Sequence, residues 1–377
     1  MEKRAIGPDI LRGLAILLVA GTHMSNPDLP DVFATTAITF GWLGVDIFFV
    51  LSGYLIGTEL LKPVEAGGTP DLRVFYLKRC LRILPVFWLV LLLYVLFPAL
   101  REGATMAPPW RFFTFTLNFG LDLRTMRTFS HAWSLCVEEH FYLVLPILIL
   151  LLHRLRRPWL PLALVAFIVG GGMLLRYSLW LDWQAHGGHT VDFMRMLYYP
   201  SYTRLDGLTL GVAMAGLRLF YRDAWTRYAR PSLTFPCGLL CLGLALYMVR
   251  HDGQILSELG SVVLYPLFAL GVAFTLAALL EVEPQIQWAR WSGLGFIAAI
   301  SYSLYLSQKI VFHADSLWLP RGWMHGWTAV AIYYGTVIVV ATGLYFAVER
   351  PMLMVRRRLL GRLHPTIKIA LAAGKEQ

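Results

Sequence analysis

Charge is what this sequence has least of. Only 15% of its 377 residues are Asp, Glu, Lys or Arg, against 57% hydrophobic, and the mean hydropathy is +0.60. A soluble globular domain carries about a quarter charged residues. The deficit excludes disorder, a coiled coil and an ordinary soluble enzyme, and leaves a chain that hides apolar surface in lipid. Cysteine is scarce too. Cys80, Cys136, Cys237 and Cys241 have no metal-ligand spacing and no secreted-domain density. Cys237 and Cys241 fit one helix face, so neither a metal nor a structural disulfide is expected. The chain lacks a Gly-rich phosphate loop and a nucleophile elbow. It also lacks any linker, repeat or low-complexity tract that would mark a second domain. Acidic residues are outnumbered, 23 to 33, giving a net charge of +10. On a soluble chain that excess would point to nucleic acid; in a membrane chain it has to be tested against topology.

What is abundant is apolar length. Lys3 and Arg4 precede an apolar stretch as in a signal peptide. Arg12 falls inside that stretch, however, Pro8 and Asp9 precede it, and no small-x-small cleavage site follows, so it reads as a retained first span. A crossing takes about 20 mostly apolar residues. Segments 8–26, 38–61, 83–100, 132–152, 159–179, 201–217, 233–249, 257–280, 293–312 and 327–349 qualify. Segment 110–121, rich in Trp and Phe, is too short to span and reads as interfacial or re-entrant. The 13 Trp and 17 Tyr suit interfacial belts. With both termini cytoplasmic, 22 of the 33 cations fall in inner segments and nine in outer ones. That bias is the one the positive-inside rule demands. The expectation is an all-α polytopic bundle of about ten transmembrane helices in a bacterial inner or plasma membrane. It comprises a transmembrane domain over 1–351 and a basic cytoplasmic tail over 352–377. Nucleic acid is then not an expected partner.

Ionisable residues inside a bilayer cost several kcal/mol and tend to mark pathways or chemistry. They concentrate in five places. Arg12 and His23 are eleven residues apart, so they share a helix face about 16 Å apart; a snorkelling Arg and a hydrogen-bonded His would account for them equally. Asp46 could orient His23 or only satisfy a cationic neighbour, and Gly53 and Gly57 read as close helix packing. Lys78, Arg79 and Arg82 crowd one turn, suited either to inner-leaflet lipid or to a phosphorylated ligand. His131, Trp133, Ser134, Glu138, Glu139, His140 and Tyr142 form the richest segment, with carboxylates placed for general acid/base work. Arg204 and Asp206, two apart, do not face each other and should meet partners on other helices. His186 and His189 receive no role.

At these residues the sequence resembles the integral-membrane acyltransferase family 3. The family's Arg-x10-His pattern matches Arg12 and His23, and its Gly-Val-Asp-x-Phe-Phe-x-x-Ser-Gly stretch matches Gly44 to Gly53. Arg-x-x-Arg-Ile-x-Pro matches Arg79 to Pro85, Trp-Ser-Leu-x-x-Glu-Glu matches Trp133 to Glu139, and Arg-x-Asp-x-Leu-x-x-Gly matches Arg204 to Gly211. Ser301 to Leu306 and Val348 to Pro351 resemble later signatures. Three positions depart from the pattern: Lys78 where a second Arg is common, His140 for Gln, and Gln308 for His.

The resemblance implies a stand-alone membrane O-acyltransferase. It would move an acyl group, usually acetyl, from cytoplasmic acyl-CoA to a hydroxyl of a cell-envelope carbohydrate or related acceptor. No cofactor would be bound permanently, acyl-CoA being a substrate. His23 would act as base or transient acyl carrier, with Glu138 or Asp46 orienting and balancing it. Arg12, Lys78, Arg79 and Arg82 would hold the CoA phosphates. Ser52, Trp133, Ser134, Glu139, Tyr142, Arg204 and Asp206 would support them. The competing reading is a transporter or flippase of a lipid-linked sugar, which often shows an internal repeat with broken helices; neither is visible.

Overall fold

A computed structural model of the chain describes residues 5–24, 26–253 and 255–363. Lys3, Arg4 and the tail beyond Leu363 lie outside them, and with them part of the cation bias on which the topology rests. Apart from one isolated bridge, Met106 to Thr128, the described residues form no β pairing. The helices are α1 (Ile6–Thr22), α2 (Asp31–Phe40), α3 (Gly44–Glu65), α4 (Leu72–Leu96) and α5 (Pro109–Phe113). They continue with α6 (Trp133–Leu155), α7 (Leu160–Ala185), α8 (Thr190–Phe193), α9 (Asp206–Phe220) and α10 (Arg222–Tyr228). The last are α11 (Pro231–Asp252), α12 (Glu258–Glu281), α13 (Leu294–Trp318), α14 (Gly326–Leu344) and α15 (Arg350–Leu363). Local signals set several starts. Asp71 caps α4 by accepting the Val74 amide at 3.1 Å, and Ser257 caps α12 by accepting that of Gly260 at 3.1 Å. Pro231 opens α11, where its missing N–H costs nothing.

Eight helical stretches among the described residues are long and apolar enough to cross a membrane. Leu162, Phe167 and Leu174 on α7 are 72–75% exposed, which water would penalise and lipid does not. The protein is a multi-pass membrane protein. The remaining two expected spans correspond to α1, 17 residues, and α9, 15 residues. Their lengths are about 25 and 22 Å at 1.5 Å per residue. Both sit inside the bundle, with α1 against α3 and α13 and α9 against α3 and α12.

Several boundaries move. The second apolar stretch is helical from Asp31, and α4 starts at Leu72, so its cations lie on the helix itself. Segment 110–121 holds only the single turn α5, then turns whose Leu117 and Leu121 are buried. At the other terminus, α14 continues through a π-helical turn, Tyr345–Glu349, into α15, so residue 351 falls within continuous helix.

Loops sort to two ends as alternating helices require. At one end Glu283 accepts the Ile6 amide, Arg222 pairs with Glu65 at 2.7 Å, and Trp225 donates to Glu281. At the other, Asn26 donates to the Met324 carbonyl and the Gly326 amide to that of Asp28. Between them, α3 and α9 pack backbone to backbone. A Cβ at Gly53 would sit 2.1 Å from the Leu208 carbonyl oxygen, and one at Gly211 2.3 Å from that of Val50. The contact is close because no side chain intervenes.

Candidate active site

The opposite side of α3 faces a cavity. Val45, Phe48, Ser52, Leu55, Glu59 and Lys62, three or four residues apart, form one stripe along it. The cavity is about 1680 Å³. It follows α3 from Val45 to Ala66, about 32 Å at 1.5 Å per residue. Its other walls are Arg12 on α1, the α4 cations, Ser134, Glu138 and Tyr142 on α6, and Ser301, Tyr302 and Tyr305 on α13. Eight cations line it (Arg12, Lys62, Lys78, Arg79, Arg82, Arg218, Arg356 and Arg357) against three acids, Glu59, Glu138 and Glu283.

Each acid is engaged. Glu59 accepts from Lys78 at 2.8 Å and from Arg79, clamping two of the expected cations onto α3. Glu138 accepts from Ser52 at 3.1 Å and from Tyr142, four residues on, along the α6 face that also carries Ser134. Arg82 and Arg12 are the cations that act on it. Thus Arg12, Ser52, Arg82, Glu138 and Tyr142, drawn from four helices, converge midway along the cavity. Glu139, a hundred degrees further round α6, points elsewhere, and its buried Oε1 has no hydrogen-bond partner among the described residues.

The lining ends inward at Ser134 and Tyr305, whose hydroxyls lie 2.6 Å apart; Tyr305 also donates to the His131 carbonyl. Behind that pair, the rings of His131 and His23 lie 5.7 Å apart. His23 follows the last residue of α1, and its Nδ1 lies 3.0 Å from the Val19 carbonyl oxygen. A carbonyl only accepts, so Nδ1 carries the proton, and a neutral ring then has its lone pair on Nε2. The Gln308 amide faces His23 without a hydrogen bond of good geometry. Lys309 is tied to Glu102 and to Ser130 Oγ, both at 2.9 Å. Phe129, in the left-handed region at φ 54°, turns the chain into this corner. The rings of Phe87, Tyr94, Phe112 and His131, 5.1–5.4 Å away, hold it there.

Asp46 is not brought to His23. Both its carboxylate oxygens accept from Arg204 Nη2 at 2.9 Å. The reason is rotational: at 100° per residue Asp46 lies about 200° round α3 from Phe48, off the cavity face. Arg204 is only 1% exposed and sits among the rings of Tyr265, Tyr198, Trp133 and Phe49, 4.0–5.9 Å from their centroids. Asp206 pairs with Arg176 at 2.7 and 3.1 Å. Neither of the two residues meets the other, as their spacing requires. His140, at the departed Gln position, contacts Ser201 Oγ at 2.7 Å.

Glu59, Arg218, Arg356, Arg357 and Arg176 were not visible as site residues. Glu59 had a signal, lying seven residues beyond Ser52 on one helix face. The others depend on which helices become neighbours, which local sequence does not encode.

The profile of the acyltransferase domain family matches residues 6–346. The chain belongs to that family. The match takes in every motif that carried the resemblance except the last, Val348 to Pro351, and covers the cavity lining save for Ala5 and α15. Among curated proteins, the peptidoglycan O-acetyltransferase OatA of Listeria monocytogenes is 28% identical over 229 residues, 57% of this chain and 34% of that protein. A putative O-acetyltransferase of Staphylococcus aureus is 29% identical over 226 residues, 56% of this chain and 34% of the other. The putative peptidoglycan O-acetyltransferase YrhL of Bacillus subtilis is 29% identical over 222 residues, 55% and 32%. This acyltransferase-family chain thus spans about a third of the length of the curated relatives it matches. No solved structure matches it.

Proposed function

We propose that the protein is a membrane O-acetyltransferase that takes an acetyl group from acetyl-CoA on the cytoplasmic side and places it on a hydroxyl of a cell-envelope carbohydrate. One observation carries the reading: a single cavity joins a cluster of eight cations to a buried carboxylate and ends at Tyr305, whose ring lies 5.4 Å from that of His131, with His23 next behind it. Phosphates of the donor stay at the cationic end, where Arg forks match their geometry. The pantetheine arm follows the α3 stripe inward, placing the thioester near Ser134 and Tyr305. The acceptor arrives from the His23 end, and the relatives' names favour a peptidoglycan sugar. His23 Nε2 takes the hydroxyl proton as the oxygen attacks the thioester carbonyl. The carbon–sulfur bond breaks, and the proton passes to the leaving sulfur, so ester and free CoA are the products. Tyr305 stands between the thioester and His23, so its side chain turns aside before transfer.

Purified protein given acetyl-CoA and a peptidoglycan glycan fragment should release CoA thiol and add acetyl groups visible by mass spectrometry. His23→Ala should lower the rate by about 10²–10⁴-fold, the usual scale for a general base. A wild-type protein that releases no thiol, or a variant that acetylates at the wild-type rate, would sink the proposal.

A further inference from the structure

The cavity has a wall that no motif announced. After the turn at Tyr345–Glu349, α15 runs along α4. Glu349, buried at that turn, accepts from Ser303 on α13 at 2.7 Å and ties the continuing helix to the bundle. The helix then places Arg356, Arg357 and Leu360 on the cavity. Arg356 is half-buried, and its charged neighbours are Arg82, Arg79, Glu59 and Arg357. Its Nε is buried without a partner, and neither Arg356 nor Arg357 has a carboxylate within ion-pair distance among the described residues. Across the mouth stand Lys62 of α3 and Arg218 of α9.

Position along α3 gives the depth. Glu59, beside Arg356, lies seven residues below Ser52, which contacts Glu138; that is about 10 Å nearer the open end. The cations therefore spread outward from Arg12 and Arg82, beside Glu138, to Arg356, which neighbours both Arg82 and Glu59, and to Arg357. Like charges brought together repel unless an anion joins them. Lys78 and Arg79 already occupy Glu59, and Glu283, the other acid at this end of the cavity, accepts the Ile6 amide, so among the described residues neither acid pairs with Arg356 or Arg357. The excess calls for a dianionic group at the mouth, on a ligand long enough for its other end to reach Ser134.

We propose that Arg356 and Arg357, on the helix that continues α14, bind the ribose 3′-phosphate of acyl-CoA and so select the phosphorylated nucleotide end of the donor. This rests on the acetyl-CoA reading above and adds a subsite to it. The cations on α4 then face the diphosphate, and α15 supplies the outer recognition. Anionic headgroups carry the same phosphate chemistry, so the test separates the two sources.

Calorimetry on the full chain in phosphatidylcholine nanodiscs, with CoA and 3′-dephospho-CoA as probes, decides it. The wild type should bind CoA about tenfold more tightly, the scale of one charge-assisted contact. The double variant Arg356→Gln, Arg357→Gln should bind both probes at the dephospho-CoA affinity. Lysine at both positions should restore part of the preference, which a misfolded variant would not do. Full preference for CoA in the Gln variant overturns the proposal. So does unchanged CoA binding together with lost sensitivity to added phosphatidylglycerol, which assigns the arginines to lipid. Absence of any CoA binding by the wild type overturns instead the donor on which the proposal rests.

Discussion

A guanidinium with 1% exposure is costly, and Arg204 shows what makes it tolerable: one carboxylate taking two contacts and four aromatic faces around the rest. Removing one partner of a buried pair leaves an uncompensated charge worth about 3–5 kcal/mol, whereas replacing both by apolar groups is often neutral. Asp46→Ala should therefore lower detergent-solubilised stability by about that amount, read by chemical denaturation. Asp46→Leu with Arg204→Met should recover most of it while leaving the proposed acetyl transfer active. If the double variant is stable and inactive, Asp46 or Arg204 does chemistry and the structural assignment is wrong. The sequence showed both residues to be buried charges. It could not pair them, because 158 positions separate them and the alternative partner, His23, was equally plausible by composition. Arg204 and Asp206 were resolved further, since two residues of one helix start cannot face each other.

At the scale of the element, α3 is a helix with two jobs on opposite faces. Gly53 and Gly57 press against α9, while Ser52 and Glu59 face the cavity. Small residues four apart were legible as a packing face, and that face fixed the other. The steric margins differ within the stripe. A Cβ at Gly53 meets backbone at 2.1 Å, but at Gly57 the nearest atom, the Val212 Cα, is 3.0 Å away. Gly53→Val should push α3 from α9 and cost about 1–3 kcal/mol or more. It should also raise the KM for the proposed donor, acetyl-CoA, because the cavity stripe moves with the helix. Gly57→Ala should show a far smaller shift in melting temperature and near-normal kinetics. Equal damage from the two would mean that α3 and α9 are not packed as described. The packing of α15 had no such local signal: its cations read as part of a basic tail, and only the contact of α15 with α4 brings Arg356 and Arg357 to the cavity.

For the whole molecule, the scarcity of charge makes each end of the bundle recognisable. The hydrogen bonds that join Ile6 to Glu283 and Arg222 to Glu65 gather loops on the side richer in cations; those joining Asn26 to Met324 gather the others. Alternation puts the 66–71 and 221–230 segments at the first end, and 114–128 and 186–189 at the second. On the positive-inside rule, the proposed function expects the first end, and the cavity with it, to face the cytoplasm. The number of crossings enters this directly. If α1 or α9 failed to traverse the membrane, every later loop would change sides. In a background with the four native cysteines replaced, single cysteines at exposed Thr69, Asp223, Thr125 and His186 read this out. A membrane-impermeant maleimide applied to intact cells should label positions 125 and 186, and reach 69 and 223 only after permeabilisation. Labelling of 69 and 125 from the same side would remove α4 as a full crossing. Labelling reversed at all four would put the cationic mouth outside, away from any cytoplasmic acyl-CoA, and with it the proposed direction of acetyl transfer would fall.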